Sequence, residues 1–213
     1  MNPKSQQPTL WYFADPMCSW CWGFSPVISR IQKEFGDRIH IILNMGGLRP
    51  GTLEPISSAL REEILHHWHE VHRLTGQPFR FDDAIPEGFV YDTEPASRAV
   101  LSFSKLLPNH TLDYFSAIQS AFYTLGRNVT QEDVLVDIAS QFPINRQAFK
   151  TLFASDELHT LTQEHFQHSQ QAGIRGFPSL IWQQGNKHEI LSRGYLPWED
   201  ISGCLNQRLS QGS

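Results

Sequence analysis

Two cysteines, Cys18 and Cys21, stand three positions apart in the stretch DPMCSWCWGFSP, residues 15–26. Such a pair suits three kinds of chemistry: half of a tetrahedral metal site, a structural staple, or a dithiol that cycles with a disulfide. A four-cysteine zinc site needs a second pair, and the one further cysteine is Cys204. Three cysteines also fall short of a disulfide framework. The redox reading therefore ranks ahead of zinc and of an inert buried pair. A thiolate at Cys18 would be favoured where a strand meets a helix, because helix N-termini carry unpaired N–H groups and partial positive charge. Cys21, one turn further on, would be less exposed yet within reach. That arrangement suits attack on a disulfide by Cys18 and resolution of the mixed disulfide by Cys21. Asp15 opposes the thiolate by its charge, or relays a proton if it is buried.

The elements around the pair follow from hydrophobic pattern. TLWYFAD (9–15) is a continuous apolar and aromatic run, as in a strand buried on both faces. Phe24, Val27, Ile28, Ile31 and Phe35 recur at helical spacing, and Gly36 closes that helix. RIHIILNM (38–45) reads as a second strand ending at GGLRPG. Strand, helix, strand at this length predicts a βαβ unit with parallel strands. From 54 to about 172 the period is helical. Ile56, Leu60, Ile64, Trp68 and Val71 line one helix, and Leu112, Phe115, Ile118, Phe122 and Leu125 another. Thr130 and Asp133 have capping-box spacing, and Asn145 and Ser155 are N-cap candidates. The turn-rich interval 75–92 reads as a surface loop of functional or mobile character. SLIWQQ (179–184) and KHEILSR (187–193) form a hairpin around Gly185–Asn186, and a last helix from about 197 buries Ile201, Leu205 and Leu209. The expectation is one α/β domain, 1–52 with 155–213, carrying an all-helical insertion at 53–154.

Composition excludes several partners. The 213-residue chain has a net charge of −5 with scattered basic residues, which does not fit nucleic-acid binding. No apolar run has transmembrane length. The N-terminus MNPKSQQPTLWYF lacks the apolar core of a secretory signal, so a cytoplasmic location is expected and the Asn109 and Asn128 N-x-T triplets carry no meaning.

A second signal, GIRGFPSLIW (173–182), is similar to the thioredoxin segment whose cis-proline faces the CxxC pair. Pro26 matches the proline within the thioredoxin active-site helix, and Gly194 with the following helix matches the closing segment. With its helical insertion the chain resembles the DsbA-like branch of the thioredoxin-like fold, in particular cytosolic disulfide-isomerase members with CSWC motifs. The resemblance covers about 9–50 and 165–210. It implies a thiol–disulfide oxidoreductase or isomerase acting on protein or peptide disulfides. Cys18 would be the nucleophile, Cys21 the resolving thiol, and Phe177–Pro178 a cis bond. Phe177 would offer backbone hydrogen bonds and an apolar wall to an extended client. Trp20, Trp22 and Met17 would enlarge that apolar surface. No cofactor is implied beyond the redox-active disulfide, with glutathione a candidate co-substrate. The family's buried acid on the first strand is replaced here by Tyr12, which leaves Asp15 or a water to assist Cys21. The Ser-Trp dipeptide is neither the Gly-Pro of thioredoxin nor the Pro-His of DsbA, whose potentials differ by about 150 mV, or ~7 kcal/mol.

Other residues have plainer readings. His66, His69 and His72 fan too widely around a helix for one ion and read as a helix face. His165 and His168 read likewise, and Cys204 as a small core residue. GGLRPG either approaches the active site or serves turn geometry. Two rival functions remain: a glutathione-dependent isomerase or transferase of the 2-hydroxychromene-2-carboxylate isomerase and kappa type, which usually has serine where Cys18 stands, and a non-catalytic peptide-binding module.

Overall fold

The expected aromatic strand is β1 (Thr9–Ala14), and it lies inside a four-stranded sheet. Its side chains alternate between two apolar layers, as strand geometry requires. Leu10, Tyr12 and Ala14 enter the main core, while Phe13, with Trp11 packed beside it, joins a smaller cluster with Ile174 and Ile181. A computed structural model describes residues 7–211. Helix α1 (Ser19–Phe35) follows β1, and β2 (His40–Met45) returns parallel to it, Ala14 opposite Met45. After the helical stretch, β3 (Ser179–Gln184) runs antiparallel to β1, and β4 (Lys187–Arg193) antiparallel to β3. The order β2-β1-β3-β4 brings the end of β1 beside the start of β3, Phe13 opposite Ser179. Sequence-distant Cys18 and Phe177 thereby become neighbours.

Between β2 and β3 come α2 (Ser58–Thr75), α3 (Glu94–Leu106), a short 3-10 turn, α4 (Thr111–Tyr123), α5 (Glu132–Ala139), α6 (Arg146–Phe153) and α7 (Asp156–Gln171). Helix α8 (Trp198–Gln211) ends the described chain and buries Ile201 and Leu205. Asn145 and Ser155 cap as expected: their side chains accept from Ala148 N (2.9 Å) and Leu158 N (3.3 Å). One apolar core runs without interruption from β1 and α1 through α3, α4 and α5.

Five local expectations are corrected. The Thr130–Asp133 capping box does not form, because Asn128 Oδ1 accepts from both Thr130 N (3.1 Å) and Thr130 Oγ1 (2.7 Å). That Asx turn delays the helix to Glu132. Leu125 lies past the end of α4 and is 60% exposed, and Ile56 precedes α2. Cys204 is half-buried, not a core residue.

The fifth correction has a physical cause in α1. Pro26 lies inside that helix and has no N–H to give the Trp22 carbonyl four residues back. Gln77 Nε2 donates to that carbonyl instead, at 2.9 Å, and Trp22 Nε1 donates to Pro78 O, also at 2.9 Å. Stretch 75–92 is therefore stitched to the active-site helix. Ala84, Ile85, Phe89 and Tyr91 are buried, so it is a packed strap rather than a loose surface loop.

Candidate active site

Cys18 is the N-cap of α1, with extended backbone (φ −92°, ψ 117°), and so stands at the helix's positive end. Both thiols are free, so the pair is a dithiol. Cys18 is 6% exposed and Cys21 fully buried, which gives the two sulfurs unequal access. Cys18 Sγ donates to the Phe177 carbonyl at 3.4 Å, and the bond between Phe177 and Pro178 is cis. Thus the strap before β3 faces the outer sulfur. Burial pushes the Cys21 thiol well up, the adjacent Cys18 adds to this, and the Asp15 backbone partly offsets it.

Asp15 is fully buried behind the turn. Its Oδ1 accepts from Met17 N (2.9 Å) and its Oδ2 from Leu48 N (2.8 Å). Burial lifts its carboxyl to about 6, against the opposing pull of those N–H groups and of the Thr93 hydroxyl. A carboxyl in that range exchanges protons near neutral pH. Tyr12 occupies the β1 position expected for an acid and is likewise fully buried. Burial raises its phenol well above the ordinary value, with Cys21 and then Cys18 reinforcing the shift.

The expected client-binding surface is only partly present. Phe177 and Trp20 are half-buried, Trp20 lying against Tyr195 with ring centroids 6.1 Å apart. Met17 is fully buried and belongs to the core, so it offers no surface to a client. Trp22 is also buried, stacked on Tyr123 at 6.2 Å and held by Pro78. Both lie beneath cover from residues 75–92, which bond the Met17 carbonyl through Tyr91 and the Trp22 ring through Pro78. Leu48, whose backbone N–H donates to Asp15, is 39% exposed.

GGLRPG does approach the site. A Cβ on Gly46 would lie 2.3 Å from the Phe177 ring, so only glycine lets that ring settle there. Gly47 has φ +73°, and a Cβ there would meet Phe166 at 2.8 Å. Sequence reasoning missed Leu48, Tyr91 and Thr93. Tyr91 Oη donates to Met17 O at 2.6 Å, and Thr93 Oγ1 accepts from Arg49 N at 3.1 Å. Leu48 contributes a backbone N–H, which no residue type announces; Tyr91 and Thr93 lie alone in turn-rich sequence.

The histidines lie elsewhere. His69 stacks on Phe81 at 4.0 Å, and His72 meets the same ring edge-on. His165 Nδ1 accepts from Met45 N (3.2 Å) and His168 Nδ1 pairs with Asn44 Oδ1 (2.9 Å), tying α7 to β2. Burial, and secondarily His168, lowers His165 to about 4. No helix among the described residues is long and apolar enough to cross a membrane.

The chain is similar to several known proteins. A crystal structure from Nitrosomonas europaea, described as that of a candidate protein disulfide isomerase, superposes with TM-score 0.93 at 43% identity, covering 98% of this chain and 100% of that one. The cytosolic disulfide reductase DsbM from Pseudomonas aeruginosa superposes with TM-score 0.80 at 25% identity, over 95% of this chain and 99% of DsbM. DsbM has also been solved with GSH. A ClpXP adapter protein, SpxH from Halalkalibacterium halodurans, is 23% identical over 221 residues, 96% of this chain and 71% of that protein. A buried CxxC pair at the head of a helix, a cis-proline strap against the outer sulfur and a helical segment between β2 and β3 accord with a match over residues 9–203, so the chain belongs to the DSBA-like thioredoxin domain family.

Proposed function

We propose that the protein is a thiol–disulfide oxidoreductase that reduces or isomerises disulfides of extended protein or peptide clients, with glutathione as the thiol that returns it to the dithiol form. The observation carrying this reading is the 3.4 Å contact between Cys18 Sγ and the Phe177 carbonyl, with Cys21 buried behind it. In the first step the Cys18 thiolate attacks a client sulfur. One Cys18–client S–S bond forms, the client S–S bond breaks, and the other client sulfur leaves as a thiolate. In the second step Cys21 loses its proton and attacks Cys18 Sγ, releasing the remaining client sulfur with its electron pair. Asp15 is the acceptor we assign for the Cys21 proton, and the released client thiolate finally takes a proton from solvent. The client receives two electrons, and the enzyme holds a Cys18–Cys21 disulfide. Two glutathione molecules then reduce it and leave as one glutathione disulfide.

Support for glutathione comes from DsbM, a disulfide reductase solved with GSH. The Phe177 wall and exposed Leu48 suit an apolar or unfolded client. A second reading, binding of a protein partner without catalysis, is favoured by the likeness to the ClpXP adapter SpxH. Substitution separates the two. Cys18→Ala should abolish reduction of a model protein disulfide, and Cys21→Ala should accumulate a client mixed disulfide visible on non-reducing gels. Full reductase activity in Cys18→Ala would overturn the mechanism; tight partner binding indifferent to both substitutions would favour the binding reading.

A further inference from the structure

Behind Cys21 lies a polar atom with nothing to bond. Tyr12 is fully buried on β1, its ring on the α1 face, 5.7 Å from Phe24 one turn beyond Cys21 and 6.1 Å from Phe115 of α4. Its hydroxyl has no hydrogen-bond partner in bonding geometry among the described residues. A buried hydroxyl left unpaired is destabilising, so Tyr12 sits at a disadvantage where phenylalanine would fill the same space. Of the other buried tyrosines, Tyr91 Oη donates to Met17 O and Tyr114 Oη to Leu135 O, while Tyr123 shares the unpaired state but sits on α4, away from β1.

Cys21 is the group that could complete Tyr12. Cys21 lies close enough to reinforce the upward shift of the Tyr12 phenol, and does so more strongly than Cys18. A thiol is a weak acceptor, whereas a thiolate is a strong one. The phenol keeps its proton at neutral pH because burial disfavours the phenolate. It is therefore a donor waiting for a charge that appears only when Cys21 ionises. An interaction weak in the resting dithiol and strong in the attacking state lowers the barrier instead of merely stabilising the ground state.

We propose that Tyr12 is a catalytic hydrogen-bond donor of the resolving step, its Oη–H aimed at the sulfur of Cys21 as that sulfur becomes the thiolate attacking the mixed disulfide. No proton leaves Tyr12. The Cys21 proton departs to its acceptor, the phenol O–H bonds the resulting sulfur anion, and that bond dissolves again when Cys21 joins Cys18. This deepens the proposed oxidoreductase function and depends on it.

The test separates the two steps in the full-length protein. Stopped-flow mixing with a disulfide-linked model peptide bearing a fluorophore reports formation of the Cys18–peptide bond, and acid-quenched mass spectrometry reports its resolution by Cys21. Tyr12→Phe should leave the first rate unchanged and slow the second by about tenfold, because losing one charge-assisted hydrogen bond typically costs that much. The pH at which resolution reaches half its maximum should rise by about one unit. Tyr114→Phe, which removes a satisfied phenol far from the dithiol, should alter neither rate. Equal resolution rates and pH profiles in wild type and Tyr12→Phe would overturn the role of Tyr12 while leaving the oxidoreductase reading intact. Absence of any Cys18–peptide bond in wild type would overturn both.

Discussion

Asp15 is a carboxylate in a place that disfavours charge, held by two backbone donors from different segments. Its carboxyl is lifted to about 6 from an ordinary value of 3.8, so between those two pH values the folded protein keeps a proton that the unfolded chain has lost. Stability contributed by this group is fully present below about pH 4 and is lost as pH rises through 6. That difference corresponds to about 3 kcal/mol at neutral pH. Asp15→Asn should accordingly flatten the decline in urea midpoint between pH 4 and 6. Asn offers one acceptor where Met17 N and Leu48 N need two, so the variant should also lose ~1–3 kcal/mol at pH 4. If Asp15 accepts the Cys21 proton, turnover in wild type rises with pH through about 6 and that step disappears in Asp15→Asn. Retention of the same midpoint and the same stability slope in the variant would assign both to another group.

Elements set what residues can do, and the β1–α1 junction and the strap before β3 are the pair that matter. The CxxC pair was readable from its spacing at a strand-to-helix turn, and the cis-proline from the resemblance of residues 173–182 to the thioredoxin segment. The strand run, the helical spacing after Cys18 and the two N-caps were readable because they depend on periodicity and local hydrogen bonding. Less readable were contacts made by backbone atoms, such as Leu48 N on Asp15, and competition between local bonds, as where Asn128 claims Thr130. Burial of Met17 and Trp22 was hidden for a related reason: an aromatic or thioether near a dithiol reads as client surface until the covering segment is placed. The Gly46–Phe177 packing is a fair measure of how tightly these elements are set. Gly46→Ala puts a carbon 2.3 Å from the Phe177 ring, which must move, and the apolar wall beside Cys18 moves with it. Overpacking of this kind costs about 1–3 kcal/mol. Client reduction should fall ten- to a hundredfold in kcat/KM, whereas alkylation of Cys18 by a small reagent should persist. Loss of both together would mean that the substitution unfolds the site rather than displacing Phe177.

At the scale of the molecule, the strap of residues 75–92 joins the helices between β2 and β3 to the redox edge of the sheet. It supplies what α1 lacks at Pro26 through Gln77, clamps Trp22 through Pro78, and reaches the residue before Cys18 through Tyr91. Its buried Ile85, Phe89 and Tyr91 belong to the same apolar core as Tyr12 and Cys21. Cys21 is fully buried, so a reagent reaches it only when some part of this cover opens. If strap and dithiol open as one unit, weakening the strap must expose the thiol to the same degree. Tyr91→Phe removes the 2.6 Å bond to Met17 O while keeping the ring against Phe122, and should cost about 1–2 kcal/mol. In a Cys18→Ala background, which removes the competing sulfur, native-state alkylation of Cys21 should then accelerate roughly in proportion to that loss, about tenfold. Amide exchange across 75–92 should accelerate by the same factor. Faster exchange in the strap with unchanged alkylation of Cys21 would show instead that the thiol is reached from the client side, past Cys18 and Phe177, and that the strap serves stability alone.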